Sequence, residues 1–287
     1  DKAGLRENQL PPICEKGTVL GRVTKEAAEK TGLTEETAVV LGSFDHPSCA
    51  TGAGVYREGE VLLSCGTSWV EFFPIESRER AIGTAYLVDR FMLNGPAYCV
   101  MSSIASIDIK LNELIRQTLG DVSYRELDEL IAASERGCGG LVYDFDHLDF
   151  ESAKAYKRAD RARAIYESAA LLLKANLEAA ERKGLGVGSL TMVGGITNSP
   201  VVMQVIADVL GRDIRVVNGV SAGAAGAAML AGIGVGLFRD EMDAFARCGF
   251  EETVYQAVKQ GLALLGGIPS DIQRMGTVRK AEGDGIV

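Results

Sequence analysis

The final third of the chain has the most regular pattern of hydrophobic positions. Residues 190–193 form a short apolar run typical of a buried strand. Residues 200–210 follow with apolar positions at helical spacing and with proline at the first position, where it is favoured. Residues 214–217 predict another strand, and a helix rich in small residues is expected from 221 to about 231. This order of strand, glycine loop, helix, strand and helix predicts an α/β arrangement.

The middle of the chain carries both helical and strand patterns. Apolar residues recur at helical spacing over 159–183, which predicts one long helix facing the core. Further helices are expected at 107–119 and 124–134, and a strand near 98–101. Two β-rich runs, 61–65 and 69–73, are joined by Gly66-Thr67-Ser68, which predicts a hairpin.

The first part of the chain predicts a short helix and then a strand. Thr24 is a typical N-cap for a helix through Lys30, and Gly32 suits its carboxyl end. Residues 38–42 form an apolar run typical of a buried strand, so Asp45 is expected just past a strand's carboxyl end. Open α/β sheets place their ligands at such ends. Beyond about residue 265 the periodicity is weak, which predicts a mobile tail.

Composition narrows the class of protein. The 287 residues are 47% hydrophobic and 24% charged, which is ordinary for a globular protein. A net charge of −9 argues against a nucleic-acid partner, whose binding depends largely on Lys and Arg. No apolar stretch reaches the roughly 20 residues that span a bilayer, and no secretory signal opens the sequence, so no membrane partner is expected.

The cysteines and histidines predict neither a disulfide framework nor a metal held by protein ligands. Six cysteines are widely scattered without a C-x-x-C pair, and only His46 and His147 are present. Reduced thiols in a cytoplasmic protein are the simplest interpretation.

Three short motifs carry candidate chemistry, although each alone is weak. The Gly66-Thr67-Ser68 turn can cradle a phosphate, because backbone amides donate and glycine lets an anion approach. Gly194-Gly195 lies between a strand and a helix, where missing Cβ atoms leave room for a ring or a phosphate. Asp45 is the strand-end carboxylate. Neither a Walker A motif nor a G-x-G-x-x-G fingerprint after a strand occurs.

Along the chain, the strand-end Asp45 is followed by the Gly-Thr-Ser hairpin, the Gly-Gly loop and the helix rich in small residues. This order resembles that of the FGGY carbohydrate kinases, which belong to the superfamily of actin and hexokinase. The resemblance runs from about residue 13 to residue 255, and its matching stretches are 17–21, 31–33, 39–45, 63–68, 192–211 and 222–236. It implies an α/β fold of the actin-like ATPase type, a ribonuclease H-like lobe whose mixed sheet is flanked by helices. It also implies ATP-dependent phosphorylation of a ketose or polyol, with ATP and Mg²⁺ as cofactors, and it leaves a homodimer open.

The resemblance also implies roles for individual residues. Asp45 matches the general base, and His46 falls where the family contacts its sugar, unless it merely packs the turn. Gly66, Thr67 and Ser68 match a phosphate-binding hairpin. The adenosine loop is matched by Gly194, Gly195 and Asn198. On this basis, a branched side chain at Gly194 is expected to fill the adenosine site.

One departure affects domain organisation. Family members begin with an Asp-x-Gly-Thr hairpin, and that motif is absent from these 287 residues. Residues 1–58 are therefore expected to be the end of an N-terminal sugar-binding lobe, and residues 59–287 an ATP-binding lobe, with negligible activity for the chain alone. Two alternatives remain open: a catalytically silent nucleotide-binding module acting through partners, and a cytoskeletal ATPase.

Overall fold

The computed structural model describes residue 4, residues 6–217 and residues 221–258. The strands are β1 Val19–Arg22, β2 Ala38–Val40, β3 Glu60–Cys65, β4 Trp69–Ile75, β5 Leu87–Arg90, β6 Tyr98–Ile104, β7 Ser189–Val193, β8 Ile214–Val217 and β9 Glu252–Tyr255. The α-helices are α1 Lys25–Thr31, α2 Asp45–Gly52, α3 Arg78–Gly83, α4 Ile107–Leu119, α5 Tyr124–Ala132, α6 Phe150–Ala153, α7 Arg158–Arg182, α8 Pro200–Leu210, α9 Ala222–Gly234 and α10 Glu241–Cys248. Short 3₁₀ turns occur at Glu7–Gln9, Cys138–Gly140 and Gly195–Asn198.

Seven strands form one mixed sheet in the order β5-β6-β4-β3-β7-β8-β9. The central strands β3, β7 and β8 are parallel, whereas the other neighbours pair antiparallel. Helices α4, α5, α7 and α8 pack in the core on one face. Helices α2, α9 and α10 contribute to the core on the other. This architecture confirms the predicted mixed sheet flanked by helices.

Strand β4 contributes side chains to the hydrophobic cores on both faces of the sheet. Trp69 and Phe73 point to the face covered by α7, while Val70 and Phe72 point to the opposite face. Successive side chains of a strand alternate in this way, so a strand buried on both faces is continuously apolar. The one charged residue in this strand is Glu71, which is fully buried.

Most of the predicted elements are confirmed. Helix α4 spans the predicted residues, α7 and α5 differ from prediction by one or two residues at their ends, and the 66–68 turn joins β3 to β4. Helix α1 has Thr24 as its N-cap and Gly32, with φ 76°, at its carboxyl end. None of the helices in the described residues is long and apolar enough to cross a membrane.

The predicted burial of residues 38–42 is wrong. Strand β2 pairs only with β1, in a separate two-stranded sheet, and Val39 is 41% exposed. None of residues 19–40 is buried. The apolar run correctly indicated a strand, but the burial of a strand depends on which other segments pack against it. Helices α2, α3, α6 and α10 and strands β1, β5 and β9 were not predicted. The mobile tail predicted after residue 265 lies outside the described residues.

Candidate active site

A cavity of about 530 Å³ opens at the carboxyl ends of the parallel strands β3, β7 and β8. Its size is within the range of small-molecule sites, and its place is where open α/β sheets bind ligands. Its walls come from the ends of these strands, the loop after β7, helix α2 and the first residues of α9: Cys49, Ser64, Gly66, Val193, Gly194, Gly195, Thr197, Asn198, Val216, Val217, Ser221, Ala222 and Gly223. Four of the predicted site residues therefore share one cavity: Gly66, Gly194, Gly195 and Asn198.

The two glycines of the loop after β7 have different environments. Gly194 has φ 114° and ψ 174°, a backbone conformation that is essentially restricted to glycine. A Cβ atom there would lie 2.6 Å from the carbonyl carbon of Cys65 and closer still to its oxygen. At Gly195, a Cβ atom would meet nothing within 4 Å. The expectation that a side chain at Gly194 fills the adenosine site is therefore wrong, because it would strike β3 instead.

The loop is closed by local hydrogen bonds. The amide and the hydroxyl of Thr197 both donate to the Gly194 carbonyl oxygen, at 3.1 and 2.8 Å. The hydroxyl of Ser199 then accepts from the Val202 amide and so caps helix α8. These bonds hold the exposed side chain of Asn198 at the wall of the cavity.

The 66–68 turn is fixed from behind by the start of helix α4. The Ser106 amide donates to the Ser68 hydroxyl at 3.0 Å, and the Asp108 amide donates to the Thr67 carbonyl oxygen at 3.2 Å. Gly66 lines the cavity, whereas Thr67 and Ser68 are outside its lining. Thus the structure gives Ser68 a supporting contact and leaves Thr67 exposed at the turn.

Asp45 is the first residue of helix α2 and is exposed. Its carboxylate accepts a hydrogen bond from the amide of His46 at 2.9 Å. Cys49, one turn later in the helix, lines the cavity, and burial together with the Asp45 charge raises the pKa of its thiol. Asp45 therefore lies within electrostatic reach of the cavity wall.

His46 is half-buried. Its Nδ1 atom is buried without a hydrogen-bond partner among the described residues, and its ring meets Phe44 edge-on with centroids 5.6 Å apart. His46 is not part of the cavity lining. The structure thus does not bring it together with the glycine loop.

Helix α2 is held against α9 by a close backbone contact. A Cβ atom at Gly52 would lie 2.8 Å from the Ala222 carbonyl carbon, and one at Gly226 would lie 2.7 Å from the Ser48 carbonyl carbon. Only glycine permits this approach at both positions. Sequence reasoning missed this contact and the lining residues of α2 and α9, and the signal available was the run of small residues after Ser221.

Residues 130–235 match the family described as "FGGY family of carbohydrate kinases, C-terminal domain". The chain contains an FGGY C-terminal domain. The matched residues include the Gly194–Gly195 loop and the first turns of α9, but they exclude the 66–68 turn and Asp45.

The proteins similar to this chain include autoinducer-2 kinases and sugar kinases. The autoinducer-2 kinase of Enterobacter sp. (strain 638) is 30% identical over 265 residues, which are 84% of this chain and 50% of that protein. The crystal structure of xylulose kinase from Rhodospirillum rubrum is 25% identical with a TM-score of 0.72, and covers 96% of this chain and 57% of its own. Gluconate kinase from Lactobacillus acidophilus, at 18% identity and a TM-score of 0.73, shares the fold. The chain spans about half the length of these relatives, and the predicted actin-like fold is confirmed.

Proposed function

We propose that the chain is the nucleotide-binding portion of an ATP-dependent carbohydrate kinase that phosphorylates a ketose or polyol. The observation that carries this proposal is the start of α9. Ser221 makes no side-chain capping bond to α9 among the described residues, and Ala222 and Gly223 line the cavity beside Gly66 and Gly195. Unsatisfied amides and the helix dipole make such a terminus a site for phosphate.

The loop after β7 would bind the adenosine part of ATP. Gly195 leaves open space on the cavity side, and Asn198 supplies an amide that can both donate and accept. The 66–68 turn, braced by α4, would contact the phosphates through Gly66 and Thr67, with Ser68 supporting the turn. In this arrangement, the two ends of the nucleotide would contact two separate glycine-containing turns.

Asp45 would act as the general base. Its carboxylate takes the proton from the sugar hydroxyl as that oxygen attacks the terminal phosphorus of ATP, and the bond to the departing ADP oxygen breaks. Phosphoryl transfer depends mainly on positioning and charge. The packing of α2 on α9 serves this need, because one pair of helices carries both the base and the phosphate-facing amides. His46 would support the adjacent turn or contact the sugar.

Mg²⁺ is part of the proposal, and the residues fit a metal bound mainly through nucleotide. The described residues contain no group of three or more His, Cys, Asp or Glu side chains placed to hold a metal. Mg²⁺ commonly uses one or two carboxylates together with substrate phosphates and water. Asp45 is assigned as the proton acceptor, so Mg²⁺ would be held mainly by the phosphates of ATP and by water. The ion would supply charge neutralisation at the phosphates.

We also propose that residues 1–58 belong to a second, sugar-binding lobe and residues 59–287 to the ATP-binding lobe. The large sheet begins only at Glu60, whereas the segment before α2 carries exposed apolar side chains: Ile13, Leu20, Leu33 and Phe44. Such a surface is typical of one that another part of a protein covers. Helix α2 would join the lobes. A cytoplasmic location and homodimer formation are further parts of this proposal.

The test is Asp45→Asn in the full-length parent enzyme, compared with Asp121→Asn, an exposed aspartate outside the cavity lining. We expect Asp45→Asn to lower kcat by about 10²–10⁴-fold, because the amide cannot accept the proton. The affinity for ATP, measured by calorimetry, should change little. Asp121→Asn should leave both quantities unchanged.

The substrate panel should contain pentuloses, hexuloses and polyols, together with autoinducer-2, xylulose and gluconate, which the names of the relatives suggest. Sugar-dependent consumption of ATP supports the kinase. Binding of ATP without consumption in the presence of any of these compounds would instead support the silent nucleotide-binding module. Near-normal turnover in Asp45→Asn would remove Asp45 from the chemistry.

A further inference from the structure

A second cavity, of about 540 Å³, lies on the face of the sheet that α7 covers. It is enclosed by the loop before β5, the end of β6, the start of α4, residues 145–146 and helix α7. The polar side chains in its walls are Tyr86, Ser102, Ser103, Lys110, Asp146 and Asn176. It shares no lining residue with the cavity between the glycine turns.

The inner wall of this second cavity is backed by a buried carboxyl group. Glu71 of β4 is fully buried, and its two oxygens accept hydrogen bonds from the Ser102 hydroxyl at 2.6 Å and from the Asn176 amide at 3.2 Å. Both donors line the cavity. Burial raises the pKa of Glu71 above its usual range. A buried carboxyl is costly to ionise even when it accepts hydrogen bonds, so its place behind a cavity calls for an explanation.

The side chains at this wall retain both hydrogen-bond donors and hydrogen-bond acceptors. Asn176 retains an acceptor oxygen and a second N–H, and the Ser102 oxygen retains acceptor capacity. Tyr86, farther along the wall, has a hydroxyl group that can both donate and accept a hydrogen bond. A ligand whose own groups both donate and accept matches this set, and a hydroxyl is the simplest such group.

The charges around the cavity disfavour an ionic ligand. Lys110, the basic residue of the lining, is 3.4 Å from Asp146, and both side chains are partly exposed. Their charges oppose each other and are screened by solvent. An anion at Lys110 would have the Asp146 carboxylate beside it, and a cation at Asp146 would have the Lys110 ammonium beside it, so the lining favours neither sign of charge.

We propose that this second cavity, between β6, α4 and α7, binds a small neutral polyhydroxylated molecule, a sugar or polyol, through Ser102, Asn176 and Tyr86. The site is separate from the proposed catalytic cavity and does not depend on the kinase activity. Xylitol is a suitable neutral probe. Gluconate and glucosamine are also small polyhydroxylated molecules and serve as the anionic and the cationic control.

The protein contains a natural reporter for this site. Trp69 is the single tryptophan, is 2% exposed and pairs across the sheet with Ile104, which lines the cavity. Xylitol should change the Trp69 fluorescence of the 287-residue protein in a saturable manner. Ala105→Phe at the exposed edge of the lining should weaken this response about tenfold, and the exposed Ala155→Phe, outside the lining, should not.

A second variant and a second measurement test the same site independently of Ala105→Phe. Asn176→Leu removes the amide contacts and should also weaken xylitol binding about tenfold, the worth of one or two neutral hydrogen bonds. In amide-resolved NMR spectra, xylitol should shift the Asn176 side-chain signals. Circular dichroism must show that each variant retains the parent fold, and Asp45→Asn should bind xylitol as the parent does.

Four results would overturn the proposal. The first is the absence of saturable xylitol binding to the folded parent protein. The second is binding that survives in both Ala105→Phe and Asn176→Leu. The third is binding lost in Asp45→Asn, which would place xylitol in the proposed catalytic site. The fourth is tighter binding of gluconate or glucosamine than of xylitol, which would refute the neutral ligand class.

Discussion

The loop after β7 offers a direct comparison of two adjacent glycines with opposite constraints. At Gly194, alanine must adopt φ near 114° and must push against the Cys65 carbonyl group of β3. The backbone strain costs about 1–3 kcal/mol, and the overlap with a neighbouring strand a further ~1–3 kcal/mol. At Gly195, φ is outside the left-handed range and the space is open, so alanine should change stability by about 0.5 kcal/mol or less.

These magnitudes are large compared with the stability of a typical domain. A loss of roughly 2–6 kcal/mol at Gly194 is a substantial part of the ~5–15 kcal/mol that holds a native protein together. It should lower the Tm by roughly 5–20 °C. Gly195→Val should keep the parent stability but weaken ATP binding about tenfold or more, since the branched side chain enters the cavity.

Urea denaturation followed by Trp69 fluorescence measures stability, because Trp69 is the single tryptophan and is buried next to the turn at 66–68. Calorimetry on the folded variants measures the affinity for ATP. Equal stability of Gly194→Ala and Gly195→Ala would refute the argument from the Cys65 contact. Full ATP affinity in Gly195→Val would remove this loop from the nucleotide site.

Three further predictions concern stability. Gly226→Ala should destabilise the protein by more than about 1 kcal/mol in urea, despite the better helix propensity of alanine, because its Cβ meets the backbone of α2; Gly83→Ala, in open space, should be neutral or stabilising. Burial raises the Glu71 pKa, so the folded state holds this proton more tightly than the unfolded state does, and stability falls as pH rises from about 4.3 to the raised folded-state pKa. Glu71→Gln lacks this loss and should gain stability relative to the parent as pH rises to neutrality; parallel pH curves of the two proteins would contradict this. Lys16→Met should cost about 3–5 kcal/mol of stability in thermal denaturation, because the fully buried Glu241 loses its ion pair at 3.1 Å. The double variant with Glu241→Leu should recover most of that loss, and a double variant as unstable as Lys16→Met would contradict this.

Elements whose signals are local could be predicted from the sequence. Helix α8 has Ser199 as its cap, proline at its first position and Gly211 in the left-handed conformation at its end. Each of these features acts within a few residues, so the sequence specifies the boundaries of the helix. The turn at 66–68 also has a local signal, the Gly-Thr-Ser sequence between two β-rich runs. The motif order also indicated the family before the fold was known.

Helix α2 shows where local reasoning ends. Its residues, Asp45–Gly52, include proline in the first turn and weak helix formers, and no long amphipathic pattern marks it. Its helical form coincides with a backbone contact to Gly226, which is more than 170 residues away in the chain. No residue near Asp45 in the sequence indicates that α2 contacts Gly226.

The sequence by itself determined most of the helices and strands, the family resemblance and the glycine-containing turns at 66–68 and 194–195. The tertiary structure alone decided that Gly194 faces the backbone of β3 while Gly195 faces open space. It also decided that none of β2 is buried and that Glu71 lies behind a second cavity. The physical reason is that helix caps and turns act over neighbouring residues, whereas burial and steric room depend on which distant segments pack opposite each other.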